Sequence, residues 1–117
     1  MINKFEILSK WPMTAQVFFY LHFITVDCKK SELGYEYNGT LSVTISGRKC
    51  QKWSIQTPHA HSNTNPEWFP ERSITEVSNF CRNPSGWVEG PWCYTIDSKV
   101  QWEICDLQFC QGNTTFY

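Results

Sequence analysis

The cysteines constrain this chain more than any other feature. There are six, and the last four, from Cys81 to Cys110, are separated by eleven, eleven and four residues. An even number of cysteines in a short chain is typical of a disulfide framework formed in an oxidising compartment. Because 117 residues make one small domain, covalent cross-links are expected to contribute much of its stability. Six reduced core cysteines in a cytosolic protein are the alternative, and the pairing is open at this point.

Net charge and aromatic content limit the classes of partner that this chain is expected to bind. Ten Lys/Arg against eleven Asp/Glu leave a formal net charge of −1, so no overall field attracts nucleic acid or an anionic membrane. Aromatic residues make up 16% of the chain and include six tryptophans. In a small cross-linked domain such rings serve as core, as binding surface, or as both. We expect Trp53 and Phe109 to be core residues or to pack against disulfides.

Residues 1–27 differ in composition from the rest of the chain. They contain no cysteine but carry an apolar run from Val17 to Val26. Ten residues interrupted by His22 are too short to span a bilayer, but they fit the apolar centre of a secretory signal. No small-x-small cleavage site precedes Cys28. The segment is therefore interpreted either as a signal or as a flanking part of a longer protein.

Two patterns predict β structure. Between Tyr37 and Gly47, the apolar residues Leu41, Val43 and Ile45 alternate with polar ones, which predicts a short half-buried strand or an extended segment ending at Gly47.

The second pattern consists of the runs WCYTI (92–96) and QWEIC (101–105), joined by a short polar connection. Together they predict an antiparallel hairpin. On it, Trp92 and Tyr94 share one face while Cys93 faces the other, so one face can present aromatics while the other carries thiols inward.

The motifs between the cysteines resemble those of the kringle family. The chain reads GRKCQKW, PHAH, NFCRNPSG, GPWCYT and WEICD before its last cysteine, with all six cysteines in family order. The resemblance covers residues 28–110, with 1–27 as a signal-like or flanking segment and 111–117 as a C-terminal tail. It implies a small disulfide-rich fold, mostly β and loop, with three disulfides and short antiparallel strands. The implied pairs are Cys28–Cys110, Cys50–Cys93 and Cys81–Cys105.

Kringles are binding modules without catalysis of their own, and plasminogen-like kringles bind lysine side chains in a shallow trough. Aromatic rings flank the aliphatic stem, paired carboxylates hold the ammonium, and a cationic side chain faces the ligand's carboxylate. Carried over by motif, the aromatic walls fall on Trp92 and Trp102, with Tyr94 beside them.

The charged poles of such a trough are missing from this chain. The D-x-D pair that follows the family's Asn-Pro dipeptide is replaced by Ser85-Gly86-Trp87, and the cation before the second wall tryptophan by Gln101. Glu89 offers only a single, misplaced carboxylate. We therefore expect lysine analogues to bind weakly or not at all, and an aromatic patch to bind a protein partner. The predicted ligand-binding residues are Trp87, Trp92, Tyr94 and Trp102.

Three other groups of residues have both a functional and a structural interpretation. His59 and His61 have the spacing of a zinc chelate, but no third ligand is evident, and structural hydrogen bonding is favoured. His59, Asp97 and a serine could be combined into a catalytic triad, but no nucleophile elbow is present and catalysis is disfavoured. The basic residues between Arg48 and Lys52 suit a polyanion such as heparin, but a solvated face is favoured.

The sequence thus predicts a secreted or ectodomain binding module that is not an enzyme and uses no cofactor or metal. Its expected partner is an extracellular protein rather than nucleic acid, and no membrane span is expected. Sequons at Asn38 and Asn113 predict glycosylation. The alternative is a fragment of a larger kringle-bearing serine protease or receptor, whose function lies partly outside these residues.

Overall fold

The structure, a computed structural model, describes residues 27–110, most of which form loops and turns. The regular elements, in chain order, are a 3-10 helix at Pro66–Trp68, a one-turn helix α1 at Ile74–Val77, strand β1 at Trp92–Tyr94 and strand β2 at Trp102–Ile104. The predictions for the signal-like segment up to residue 26, for the tail 111–117 and for Asn113 lie outside the described residues. Within residues 27–110, no helix is long and apolar enough to cross a bilayer.

A side-chain N-cap is present at the start of each of the two short helices. The Asn65 carboxamide oxygen accepts from the Glu67 backbone N–H at 3.0 Å, ahead of the 3-10 helix. The Ser73 hydroxyl accepts from the Glu76 backbone N–H at 3.2 Å at the start of α1. Such caps satisfy backbone donors that a helix of one turn leaves free. Of the residues in α1, only Val77 is buried.

The three disulfides implied by the resemblance are confirmed. The structure pairs Cys28 with Cys110, Cys50 with Cys93, and Cys81 with Cys105. The last two cross in the middle of the domain, where their sulfurs approach to 3.9 Å between Cys50 Sγ and Cys81 Sγ. The first pair joins the two ends of the described chain. The fold is therefore a small disulfide-rich domain with two short antiparallel strands, as predicted.

Trp53 forms the centre of the core, as expected from the sequence. Its side chain is fully buried, and its indole N–H donates to the Phe80 carbonyl at 2.8 Å. The rings of Phe69, Trp92 and Tyr94 pack edge-on around it at centroid distances of 5.1, 5.1 and 5.6 Å. This edge-to-face geometry is the favoured one for aromatic rings, and it joins the loops to β1.

The expectation that Phe109 belongs to the core is wrong. The Phe109 side chain is 55% exposed, and the Lys29 ammonium lies 5.0 Å from its ring centroid. Phe109 pairs with Lys29 in a single parallel bridge at the margin of the domain, whereas the nearby Leu107 is buried.

The strand predicted between Tyr37 and Gly47 is also wrong. Val43 and Ile45 are exposed and Thr44 is buried, the reverse of the predicted pattern. The chain instead turns back at Gly47, whose φ is 88°, and Thr44 N–H donates to the Arg48 carbonyl at 2.8 Å. Since this segment pairs mainly with its own continuation, no sheet is present to bury alternate side chains.

The predicted hairpin is present, with β1 and β2 antiparallel and Tyr94 opposite Trp102. The assignment of its faces needs correction, because all three residues of β1 are buried. Further bridges explain this burial: Trp92 pairs with Arg82, and Thr95, just after β1, pairs with Cys50. β1 thus lies inside the domain, and β2 supplies the more exposed surface.

Candidate functional site

A shallow cavity beside the hairpin brings together the aromatic residues singled out from the sequence. Its volume is about 310 Å³. It is lined by Asn63, Ser85, Trp87, Trp92, Tyr94, Gln101 and Trp102. We call this cavity the trough. All four predicted ligand-binding residues line it, together with two of the positions where the family's charges were expected.

The floor of the trough consists of Trp92 and Tyr94, which are 6% and 8% exposed, so Trp92, expected as a wall from the resemblance, forms part of the floor instead. The Trp92 indole N–H donates to the Asn83 carboxamide oxygen at 3.2 Å. The Tyr94 hydroxyl accepts from the Asn63 carboxamide at 2.8 Å. The polar atoms of both floor residues are therefore engaged within the protein, and the floor offers a ligand mainly ring surface.

The walls are Trp87 and Trp102, each 40% exposed. Their ring centroids lie 5.1 Å apart at an interplanar angle of 72°. Trp102 also meets the floor residue Trp92 at 5.9 Å and 68°. The three indoles thus form one angled aromatic surface on which an apolar or cationic group can lie.

Trp87 is positioned by Asn83, a residue that the sequence reasoning did not single out. Asn83 is 3% exposed; its side-chain oxygen accepts from the Trp87 N–H at 2.7 Å, and its amide donates to the Trp87 carbonyl at 2.9 Å. The same amide donates to the Leu33 carbonyl at 2.6 Å. The signal was available in the Asn-Pro dipeptide at 83–84, since asparagine often closes turns through its side chain.

Tyr35 is a second residue beside the trough that sequence reasoning missed. Gly86 adopts φ 71°, and a Cβ placed on it would collide with the Tyr35 hydroxyl oxygen. The tyrosine therefore lies against the Ser85–Trp87 loop, in space left free by the absent side chain. Tyr35 is 53% exposed and extends the aromatic surface past this end of the trough.

Every residue that lines the trough is uncharged. Ser85, Trp87 and Gln101 lie at its edge, where the family's charged groups were expected. Glu89 is exposed and is not among the lining residues. The single carboxylate considered as a substitute for the missing pair therefore does not reach this cavity.

The two carboxylates of the hairpin, Asp97 and Glu103, are paired outside the trough. Arg48 Nε lies 3.2 Å from Asp97 Oδ2, and Arg48 Nη1 lies 3.2 Å from Glu103 Oε2. The pKa of Asp97 is lowered by the Lys99 backbone N–H and by Arg48. The pKa of Glu103 is lowered first by the Ser46 hydroxyl. The predicted basic cluster thus has its arginine paired with two carboxylates, which weakens it as a polyanion site.

The two histidines make structural contacts. A His59 ring nitrogen donates to the Asp97 carbonyl at 2.8 Å, so it does not meet the carboxylate as a triad would require. His61 donates to the Ile55 carbonyl at 3.2 Å and stacks on Tyr94 at 4.5 Å between ring centroids. His61 therefore supports the floor of the trough. Four cysteine sulfurs also cluster within 4.8 Å, but all belong to disulfides and do not offer thiolates to a metal.

The glycosylation candidate Asn38 is exposed, as is Thr40 of the same sequon. Asn38 borders a second cavity of about 340 Å³ beside the Cys28–Cys110 disulfide. The acceptor amide is thus on the surface of the described domain.

Comparison with known proteins identifies the family to which this chain belongs. The model of the kringle domain family matches residues 28–110. Plasminogen of Capra hircus is 49% identical over 81 residues, which cover 69% of this chain and 63% of the relative. A putative apolipoprotein(a)-like protein 2 of Homo sapiens is 51% identical over 80 residues, which cover 68% of this chain and 58% of the relative. The aligned part of the chain thus spans about three fifths of the length of these relatives. Since the family model covers most of its length, the chain belongs to the kringle family.

Proposed function

We propose that residues 28–110 act in an extracellular setting as a protein-binding kringle whose trough takes an uncharged group in place of lysine. One observation carries this proposal: the aromatic floor and walls are in place, while every lining residue is uncharged. Binding, rather than catalysis, is the role that this arrangement supports.

Electrostatics disfavours lysine as the ligand of this trough. An ammonium that enters the trough loses part of its hydration and meets no carboxylate among the lining residues. A charge-assisted hydrogen bond contributes about 1.5–3 kcal/mol, so the missing anionic pair lowers the affinity by about tenfold to a hundredfold. Cation–π contact with the indoles recovers only part of this free energy.

The extracellular assignment rests on the cross-links. Three disulfides hold a domain with very little regular secondary structure. Such disulfides persist in oxidising compartments and are rare in the reducing cytosol.

Calorimetric titration with ε-aminocaproic acid tests the ligand assignment. We expect no saturable binding at submillimolar concentrations of this lysine analogue, and a micromolar Kd for the unmodified chain would overturn the proposal. The matched variant combines Ser85→Asp, Trp87→Asp and Gln101→Arg, which returns both charged poles to the trough. This variant is expected to bind the analogue, which shows that the assay detects a competent site.

The resemblance to plasminogen supports a second proposal, in which this kringle is one part of a longer kringle-bearing protease or receptor. The aligned region covers only 63% of that relative. The activity of such a protein would lie partly outside these residues. Sequencing the transcript in both directions tests this: a protease or kinase domain in frame supports it, and a stop codon immediately after Tyr117 together with a cleaved leader contradicts it.

A further inference from the structure

The edge of the trough carries hydrogen-bond donors that the rest of the described chain does not use. The Gln101 carboxamide, the Ser85 hydroxyl and the indole N–H groups of Trp87 and Trp102 have no hydrogen-bond partner among residues 27–110. The carboxamide and the hydroxyl can donate or accept, whereas the two indoles can only donate, so a ligand rich in acceptors complements the indoles best.

An exposed apolar surface continues from the trough. Val88 is 69% exposed beside the wall residue Trp87, and Tyr35 is 53% exposed against Gly86. We call Trp102, Trp87, Val88 and Tyr35 the apolar strip. A ligand that follows the strip leaves the trough along the 85–88 loop, so an extended segment fits it better than a single compact group.

The acidic residue of β2 does not compete for this surface. Glu103 lies beside the wall residue Trp102, and its carboxylate binds Arg48 and Ser46 instead. Arg82 is 1% exposed and is paired with Glu71. Since every residue that lines the trough is uncharged, the electrostatic complement of the trough is a neutral ligand.

We propose that the trough and the apolar strip bind a neutral, proline-containing segment of a protein partner in the polyproline II conformation. This inference rests on the proposed function of the trough. A polyproline II backbone makes no internal hydrogen bonds, so its carbonyls are free to accept from the donors at the edge. Proline itself has no N–H that would need an acceptor. Its ring lies flat on indole faces, and aromatic-lined grooves are a recurring way to bind such segments.

The size of the trough agrees with this ligand. A volume of about 310 Å³ is at the lower end of ligand pockets, enough for one or two side chains rather than for a helix face. Because a polyproline II segment is already extended before it binds, it loses less conformational entropy than a flexible apolar peptide.

Titration of the uniformly ¹⁵N-labelled chain with blocked peptides tests the proposal. The probe is acetyl-Ala-Pro-Pro-Leu-Pro-Pro-Ala-amide, and the reference is the same peptide with every proline replaced by alanine. We expect the proline peptide to bind about tenfold more tightly or better, and to shift the indole N–H signals of Trp87 and Trp102. The signal of Trp68, an indole that is 49% exposed but does not line the trough, should not move.

Variants locate the binding surface. Trp87→Ala is expected to weaken binding of the proline peptide about tenfold or more, since a wall aromatic is a typical hot spot. Gln101→Leu keeps the size of the side chain but removes a donor, and should weaken binding several-fold. Trp68→Ala is the matched control, with unchanged affinity expected. Each variant is first checked for a dispersed amide spectrum and three intact disulfides.

The outcomes separate this inference from the proposed function. Equal binding of both peptides, lost in Trp87→Ala, overturns the preference for proline but keeps a trough for neutral ligands. Absence of binding by the proline peptide, or binding that Trp87→Ala leaves intact, overturns this inference alone. Only tight binding of ε-aminocaproic acid to the unmodified chain overturns the proposed function.

Discussion

The side chain of Asn83 hydrogen-bonds to both backbone polar groups of Trp87. Its side-chain oxygen accepts from the Trp87 N–H at 2.7 Å, and its side-chain amide donates to the Trp87 carbonyl at 2.9 Å. The same side chain accepts from the indole of Trp92 on the trough floor. One buried carboxamide therefore sets the position of a wall relative to the floor.

Asn83→Ala is accordingly expected to damage both stability and the trough. The substitution removes a buried carboxamide and leaves polar groups of Leu33, Trp87 and Trp92 without their partner, and should lower the free energy of unfolding by about 3 kcal/mol. Urea unfolding followed by tryptophan fluorescence measures this. Asn65→Ala is the matched control, because Asn65 makes only one backbone contact, at the 3-10 helix, and its loss should amount to about 1 kcal/mol or less. Equal losses in the two variants would contradict the special role of Asn83.

The cross-links were predicted through the family resemblance, and the hairpin from the spacing of two aromatic runs. The cysteine order with its flanking motifs gave the three pairs through the family resemblance. The two aromatic runs gave the hairpin of Trp92 and Trp102 through their alternation and short connection. These signals are local or depend on order along the chain, so the tertiary fold does not have to be known.

The errors and omissions come from contacts between distant segments. The alternation around Val43 predicted a strand, but alternation buries one face only when a partner sheet is present. His61 stacks on Tyr94 and Asn83 reaches the Leu33 carbonyl, 50 residues away. Neither contact leaves a mark in the local sequence. The four aromatic residues do line one cavity, and their part in binding stays a prediction.

Gly86→Ala tests how Tyr35 lies against the trough loop. At φ 71° an alanine is strained by about 1–2 kcal/mol, and its Cβ also meets the Tyr35 hydroxyl. Since Tyr35 is half exposed, we expect the ring to swing away rather than the domain to unfold.

Gly47→Ala provides the control for this change. Gly47 also has a positive φ, of 88°, but nothing lies within 4 Å of its ideal Cβ. Both variants should therefore lose a similar free energy of unfolding, while the ring signals of Tyr35 shift only in Gly86→Ala. Unmoved Tyr35 signals in that variant would show that the tyrosine does not lie against this loop in solution.

Glu71→Gln tests the buried ion pair. The Arg82 side chain is 1% exposed, and its Nε lies 3.1 Å from Glu71 Oε2. Removing the carboxylate charge leaves a buried guanidinium uncompensated and should lower the free energy of unfolding by about 3 kcal/mol. In Glu67→Gln the broken pair is with Arg72, whose side chain is 68% exposed, so about 1 kcal/mol or less is expected. Chemical denaturation measures the free energy of unfolding of both variants. Equal losses of stability in the two variants would contradict the predicted contribution of the buried pair.

Asn38 is expected to carry an N-linked glycan when the chain passes through a eukaryotic secretory pathway. The asparagine and Thr40 are both exposed, so the acceptor amide and the hydroxyl are accessible. In an Asn113→Gln background, the mass removed by peptide N-glycosidase should disappear with Thr40→Ala and persist with Thr40→Ser. A chain that is secreted without any glycan in this background would refute the prediction.

Tyr37 should make the domain lose stability at alkaline pH. Burial raises the pKa of Tyr37 to about 12 from an ordinary value of 10. Between these values the unfolded chain gives up the phenol proton while the folded chain keeps it, so the free energy of unfolding falls as the pH rises, by at most about 1.4 kcal/mol per pH unit.

Tyr37→Phe should be less stable at neutral pH, because the hydroxyl no longer accepts from the Leu41 N–H, but its stability should lack this part of the dependence on pH. The exposed Tyr35 is the control: denaturation from pH 10 to pH 12 should show the full slope in Tyr35→Phe. The same slope in both variants would mean that another group causes it.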